Sequence, residues 1–448
     1  METQGRAAVR LREGALPFIL AQRIWQGVAG LITVVIITMT LSHEQQGWYY
    51  TFLGIAALYS IFEMGLSGAI LQVSAHLFVK LHWLQGGHVE GEAASEFNAF
   101  VASSVRIYGL ISIVFVVFSS LVGAYMFGHR ASLDHSGLLW HAPWPTLLTL
   151  TAMNMMTLPF FSVVEGSGEI TEVYQVRLIQ GIAGSVLCWF VLLHGGALWA
   201  TTMLPLASLV VFCCWLVKKK IGLISIVIKP HVEHTYDWML NIWPHQWRLG
   251  LNSISLFMMS QLATPILFYY YDPVIAGQMG LSLTLAHMLG IVAQSWIARR
   301  VPMMSQAVAR REWHLFDTIF RQDLLHSILI FLLGMLVLIL GYQFLVGTKY
   351  VERLLPFWQF VGLLGFVFLY HLCGALSTQL RSFRREPLMW VNLVGSLIIV
   401  IGSLFAAHQA AVGGMVVVMV ATQLLFVLPL SLILWRRYNL LWRGEMVL

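Results

Sequence analysis

The sequence predicts an all-α, polytopic membrane protein of about twelve transmembrane helices arranged as two six-helix lobes around a central cavity. Three observations carry that expectation. Of the 448 residues, 58% are hydrophobic and only 10% charged, with a mean hydropathy of +0.78, against roughly 25% charged residues in soluble domains. Apolar runs long enough to cross a bilayer follow one another along the whole chain. The Lys and Arg residues sit in short clusters between those runs, not along one solvated face. A soluble enzyme is excluded, and the pI of 9.2 reads as a topology signal rather than a nucleic-acid-binding one.

Runs bounded by charged or turn residues place spans at 16–41, 48–73, 105–127, 146–164, 173–193 and 196–217, then at 248–271, 274–297, 325–346, 354–379, 388–408 and 411–435. The expected organisation is an N-terminal lobe over 1–220, an amphipathic cytoplasmic connection over 221–247 and a C-terminal lobe over 248–448. Arg6, Arg10 and Arg12 resemble a signal-peptide n-region, but the apolar run continues to Leu41 without a small-residue cleavage site, so it reads as a retained first span. With the N-terminus inside, all but four of the 26 Lys and Arg residues fall on cytoplasmic segments or adjoining span ends. The exceptions are Arg23 within a span and Arg130, Lys349 and Arg353 on outer loops, so both termini are expected in the cytoplasm.

Each half contains a pair of spans, a long amphipathic connection (74–104 and 298–324) and four further spans, the pattern of a parallel repeat. In the second connection Trp313, Phe316, Ile319 and Phe320 share one side of a helix expected to lie on the cytoplasmic leaflet. Trp48, Tyr49 and Tyr50, with Phe268, Tyr269, Tyr270 and Tyr271, are expected as interfacial belt residues at outer span ends. Pro159, Pro205, Pro265 and Pro429 fall inside spans and predict bends.

Few charged groups enter the spans. Arg23 lies roughly 10 Å inside span 1, with Gln26, Gly30 and Thr33 on its helical face at three- and four-residue spacings. Arg248 opens span 7 and shares a face with Asn252, Ser255 and Met259. Each arginine reads either as snorkelling to the headgroups or as a cation facing protein or water. Glu63 lies about 15 Å inside span 2, where a carboxylate needs a partner or a proton. It reads as an ion-pair partner of Arg23 or as a titrating group coupled to transport. His287 stands at the corresponding place in span 8, as a coupling residue or a packed histidine.

Signals for catalysis are nearly absent. Cys188, Cys213, Cys214 and Cys373 lack disulfide or zinc-type spacing, and His231 and His234 form an H-x-x-H without a glutamate placed for a metalloprotease. No metal, cofactor or enzymatic activity is expected. The longest outer loop, 128–145, offers only Arg130 and Asp134 to a glycan polymerase or ligase.

Several motifs carry a family resemblance. They are Glu63-Met64-Gly65-Leu66, Glu165-Gly166-Ser167-Gly168 followed by Tyr174-Gln175-Val176-Arg177, and Trp247-Arg248-Leu249 through Phe268-Tyr269-Tyr270-Tyr271. Ala276-Gly277-Gln278-Met279-Gly280 and Val301-Pro302 leading to Ala309-Arg310-Arg311 complete the set. With the six-plus-six layout, the chain resembles the lipid-linked oligosaccharide and polysaccharide flippases of the multidrug/oligosaccharidyl-lipid/polysaccharide exporter superfamily. The resemblance implies a bacterial inner-membrane protein that moves a polyprenyl-diphosphate glycan, an O-antigen or exopolysaccharide unit, to the outer leaflet by alternating access. Membrane lipids, a glycan polymerase and glycosyltransferases are the partners it implies. A diphosphate entering a low-dielectric cavity needs cations, which Arg23 and Arg248 would supply, with Gln26 and Asn252 beside them. The alternative is a cation-coupled small-molecule or drug exporter, against which stands an arginine in span 1 where such exporters place an acid.

Overall fold

The computed structural model describes residues 2–133, 139–228, 236–238, 242–383, 385–409 and 411–445. His231, His234 and Asp134 lie outside the described residues. Among the described residues, eleven helices are long and apolar enough to cross a membrane, and a twelfth span results if one bent helix pair is counted as a single crossing.

The chain divides into two compact units, Met1–Leu41 with Phe52–Ser253, and Ser42–Thr51 with Ile254–Leu448. The first unit holds α1 (Glu2–Thr40), which packs along α8 (Ile170–Leu193). Ala15 and Ala29 are buried, the Trp25 and Trp189 rings stand 6.1 Å apart, and Trp189 Nε1 donates to Thr33 Oγ1 at 2.8 Å. The spacing of Ala15, Trp25, Ala29, Thr33 and Ile37 defines one stripe of the helix, and the remaining faces carry Leu16, Leu20, Ile24 and Leu31 outward.

Span 2 is not one helix. It runs as α2 (His43–Ala56), α3 (Tyr59–Glu63) and α4 (Leu66–Leu77). The break falls at Met64 and Gly65, which take left-handed φ values of 50° and 74°. Only a glycine tolerates that region without strain, so Gly65 sets the site of the break and Met64 bears the residual cost. Beyond α4 the expected amphipathic connection is a β-hairpin, β1 (Leu81–Trp83) antiparallel to β2 (Val89–Gly91), followed by α5 (Ala94–Leu133).

Span 4 comprises α6 (Pro143–Met155) and α7 (Leu158–Gly166). Pro159 near the start of α7 supplies no N–H to the preceding turn, which ends the first helix. Asn154 beside that break donates to the Pro205 carbonyl of α9 (Ala200–Lys219) at 2.7 Å. Residues 221–228, expected as part of a connection between lobes, form α10 (Ile221–Ile228), which packs on α5 within the first unit. The core of this unit gathers Phe97, Phe100, Tyr108, Phe161, Val164, Phe212 and Trp215.

Span 7 comprises α11 (Trp243–Ser260) and α12 (Ala263–Tyr270), bent by 49° where Pro265 cannot bond back across the turn. Then follow α13 (Pro273–Ala298), α14 (Val301–Ala309), α15 (Trp313–Phe344), α16 (Phe357–Arg381), α17 (Met389–Gln409) and α18 (Ala411–Thr422). A π-helical turn, Gln423–Val427, leads from α18 into α19 (Leu428–Glu445), with Pro429 just beyond it. Asp272 caps α13 by accepting from the Val274 N–H at 2.6 Å, and Pro273 occupies the first turn.

Two surface expectations are corrected within the second unit. The Trp313, Phe316, Ile319 and Phe320 face does not rest on lipid. Phe316, Ile319 and Phe320 are buried against Leu376, Leu380, Leu388 and Trp442, because the chain breaks at Arg311 (φ 59°) and folds α15 back onto the ends of α16 and α19. Trp48, Tyr49, Tyr50 and Phe268 are likewise buried rather than interfacial. The Trp48 and Phe268 rings meet edge to face at 4.9 Å, and Tyr50 covers Gly280.

Candidate functional site

Glu63 closes the first turn of a helix. Its carboxylate accepts from the Gly65 N–H at 2.7 Å and the Ser67 N–H at 2.7 Å, and Tyr108 of α5 donates to it at 2.9 Å. The break at Met64 and Gly65 leaves the first N–H groups of α4 without helical partners in the middle of a span, and an anion there also meets the positive end of the helix dipole. The expected pairing with Arg23 is not present. No ion pair joins Glu63 to Arg23 among the described residues; its oxygens accept from Gly65, Ser67 and Tyr108 instead.

The same break receives α11. The Gln246 amide donates to the Met64 carbonyl, Leu249 packs 3.7 Å from the position of a side chain on Gly65, and Gly250 faces Met64. Arg248, two residues from Gln246 and so on the opposite side of α11, is exposed, with its guanidinium 5.4 Å from the Trp247 ring centre. Asn252 follows one turn later, half-buried. Arg248 therefore belongs to the unit that also contains Arg23, although the sequence assigns it to the start of a second lobe.

Arg23 and Gln26 are exposed on α1. Neither Arg23 nor Arg248 has a carboxylate partner among the described residues. His287 of α13 stands in the second unit and has no hydrogen-bond partner among the described residues.

Two polar arrangements escape the sequence reading. In the first unit Arg177 of α8 reaches back to Glu165 at the end of α7, with Nη2 3.5 Å from Oε2. Its guanidinium lies 5.6 Å from the Phe161 ring centre and 5.4 Å from that of Tyr174. In the second unit the buried His371 lies 2.7 Å from Ser327 Oγ, which itself donates to the Ala293 carbonyl at 2.9 Å. The serine hydrogen is thereby committed, so the imidazole Nε2 carries the donor. The three-residue spacing of Tyr174 and Arg177 was the available signal for the first pair. Nothing in the sequence marks the second. No cluster of three metal-type ligands occurs among the described residues.

No family model matches the chain, and no curated protein matches it. Solved structures do. The fold is similar to that of a multidrug-resistance MATE-family transporter of the MOP superfamily in an inward-facing conformation, at 12% identity over 94% of this chain and 96% of that one, TM-score 0.64. An outward-facing structure of such a transporter matches at 14% identity over 97% and 96% of the chains, TM-score 0.51. A MOP-superfamily transporter from Pyrococcus furiosus matches at 14% identity over 96% and 95%, TM-score 0.52. The chain is a multi-pass, predominantly helical membrane protein with the MATE-like fold.

Proposed function

We propose that the chain is a MOP-superfamily transporter working by alternating access, and that it moves a polyprenyl-diphosphate-linked glycan from the cytoplasmic to the outer leaflet. The matched fold occurs in inward- and outward-facing forms, which supports the transport cycle. One observation supports the anionic substrate. Arg23 and Arg248 are exposed cations in helices of one unit, and Glu63, the carboxylate expected to neutralise one of them, is committed to the α4 N-terminus. An arginine at mid-span costs about 2.5–3.5 kcal/mol to insert, and somewhat less at the shallower depth of Arg23, so a compensating role is expected of it. The Pyrococcus furiosus relative in fold was described as having reversed pocket polarity and a different function.

The seat is Arg23 and Arg248, with Gln26 and Asn252 as neighbouring hydrogen-bonding groups. Arg23→Ala and Arg248→Ala each abolish glycan export at normal membrane abundance, while the Lys variants keep part of it, because an ammonium supplies charge without the two-pronged geometry. Export at the wild-type level by the double Ala variant would reject the seat. The likeness to multidrug transporters favours small-molecule export as the second reading. Export of cationic dyes, unimpaired when both arginines are replaced, would favour it over the glycan.

A further inference from the structure

Arg177 sits deeper than its ion pair suggests. It lies seven residues into α8, about 10 Å along the axis from Ile170. Arg23 lies nine residues beyond Gly14, where the apolar part of α1 begins, so the two cations enter their spans to similar extents. Side chains on a helix lean toward its N-terminus, which carries the Arg177 guanidinium back to Glu165 at the end of α7. Gly166 permits this close turn, since a side chain there would meet the Leu71 carbonyl at 2.5 Å.

The contact itself is loose. One guanidinium nitrogen approaches one carboxylate oxygen at 3.5 Å, and no hydrogen bond to Arg177 accompanies it among the described residues. A bidentate pair would show two contacts below about 3 Å. The guanidinium lies over the Phe161 and Tyr174 rings, and its five N–H donors make no hydrogen bond among the described residues. Arg23 stands on α1, the helix that packs along α8. The Arg177 side chain is 30% exposed and that of Glu165 16%, so an anion has access while the pair is incompletely screened by water.

We propose that Arg177 is a phosphate-binding cation acting with Arg23, and that Glu165 holds its place when no ligand is bound. A diphosphate headgroup binds by displacing the carboxylate from the guanidinium edge. Glu165 thereby sets a threshold, since a ligand must offer Arg177 more than one loosely held carboxylate does. A diphosphate meets it with several oxygens that match the guanidinium fork, whereas a phosphodiester headgroup of ordinary lipid offers less charge. The inference rests on the anionic-substrate reading above and adds the residue that discriminates among anions.

The test is equilibrium binding to the purified full chain in nanodiscs of zwitterionic lipid, with farnesyl diphosphate and inorganic pyrophosphate as probes. Glu165→Gln tightens both probes about tenfold, because the competing charge is gone while the shape is kept. Arg177→Gln weakens both about tenfold or more, and Arg177→Lys falls between. In the Arg177→Gln background Glu165→Gln gives no gain, as a double-mutant cycle requires of residues that act on one another. Adding phosphatidylglycerol to the nanodiscs lowers affinity in Glu165→Gln more than in wild type. Equal binding by wild type, Glu165→Gln and Arg177→Gln, including no binding by any, overturns the proposal, as does a Glu165→Gln gain that persists without Arg177. If pyrophosphate responds as stated but the prenyl chain adds nothing to affinity, the pair stands and the lipid-linked substrate fails.

Discussion

Replacing Glu63 tests whether a carboxylate inside a span serves the fold or the transport cycle. Its side chain accepts two backbone N–H bonds of 2.7 Å and one phenolic bond of 2.9 Å. Glu63→Ala removes all three and leaves the Gly65 and Ser67 N–H groups unpaired away from bulk water. Loss of a helix cap costs about 1 kcal/mol and up to about 2 kcal/mol. The vanished charge at the helix N-terminus adds up to about 2 kcal/mol, and the stranded Tyr108 hydroxyl about 1 kcal/mol more. The expected loss for Glu63→Ala is thus about 2–5 kcal/mol. Glu63→Gln keeps one acceptor oxygen but turns an amide NH2 toward an N–H, for a loss of about 1.5–3 kcal/mol. Tyr108→Phe costs about 1 kcal/mol. Thermal unfolding of the detergent-purified chain should rank the variants Ala, Gln, Phe in decreasing damage. A Glu63→Ala protein that unfolds at the wild-type temperature refutes the capping argument. So does Glu63→Gln transport that loses its response to an imposed proton gradient while stability is unchanged, since that outcome makes the residue a coupling group.

Two further expectations concern packing and topology. In the second unit a side chain on Gly47 would meet the Pro273 carbonyl at 1.8 Å, so Gly47→Ala must shift backbone and is expected to destabilise by about 1–3 kcal/mol, read as a lower unfolding temperature; wild-type stability would contradict the close approach. Cysteines placed at Gln45 and Lys349 should react with a membrane-impermeant thiol reagent from outside the cell while one at Arg311 does not, and the reverse pattern would invert the orientation.

The spans were legible because bilayer thickness forces a long apolar run, and no local interaction competes with that requirement. The breaks were only partly legible. Pro265 announced the bend in span 7, but the apolar pattern of span 2 continues through Met64 and Gly65, so a reading by periodicity passes over the interruption. Once it is missed, the Glu63 carboxylate has no visible partner except a distant arginine, whereas its actual partners are N–H groups two and four residues away. The face of Trp313, Phe316, Ile319 and Phe320 was legible as apolar but not as core, because composition cannot separate a helix resting on lipid from one resting on Leu376, Leu380 and Trp442. The Arg177 and Glu165 pair needed the turn between α7 and α8 to bring residues twelve positions apart within reach.

The π-helical turn of span 12 bears on how that span tolerates a change of length. Met415, Met419, Gln423, Val427 and Ser431 are buried to 1% exposure or less and recur every four residues. In a plain α-helix four such steps would wind the column about 160° around the axis, out of contact with what it faces. The extra residue held at Gln423–Val427 takes back about 100° of that rotation. Deleting one outward-facing position there, Leu425 at 75% exposure, would let the turn close as ordinary helix with the inward column still aligned. The same deletion a turn or two away would rotate every residue beyond it off its contacts, so of all the places in this crossing to shorten the chain by one, the π-helical turn is where the helix already carries the spare residue.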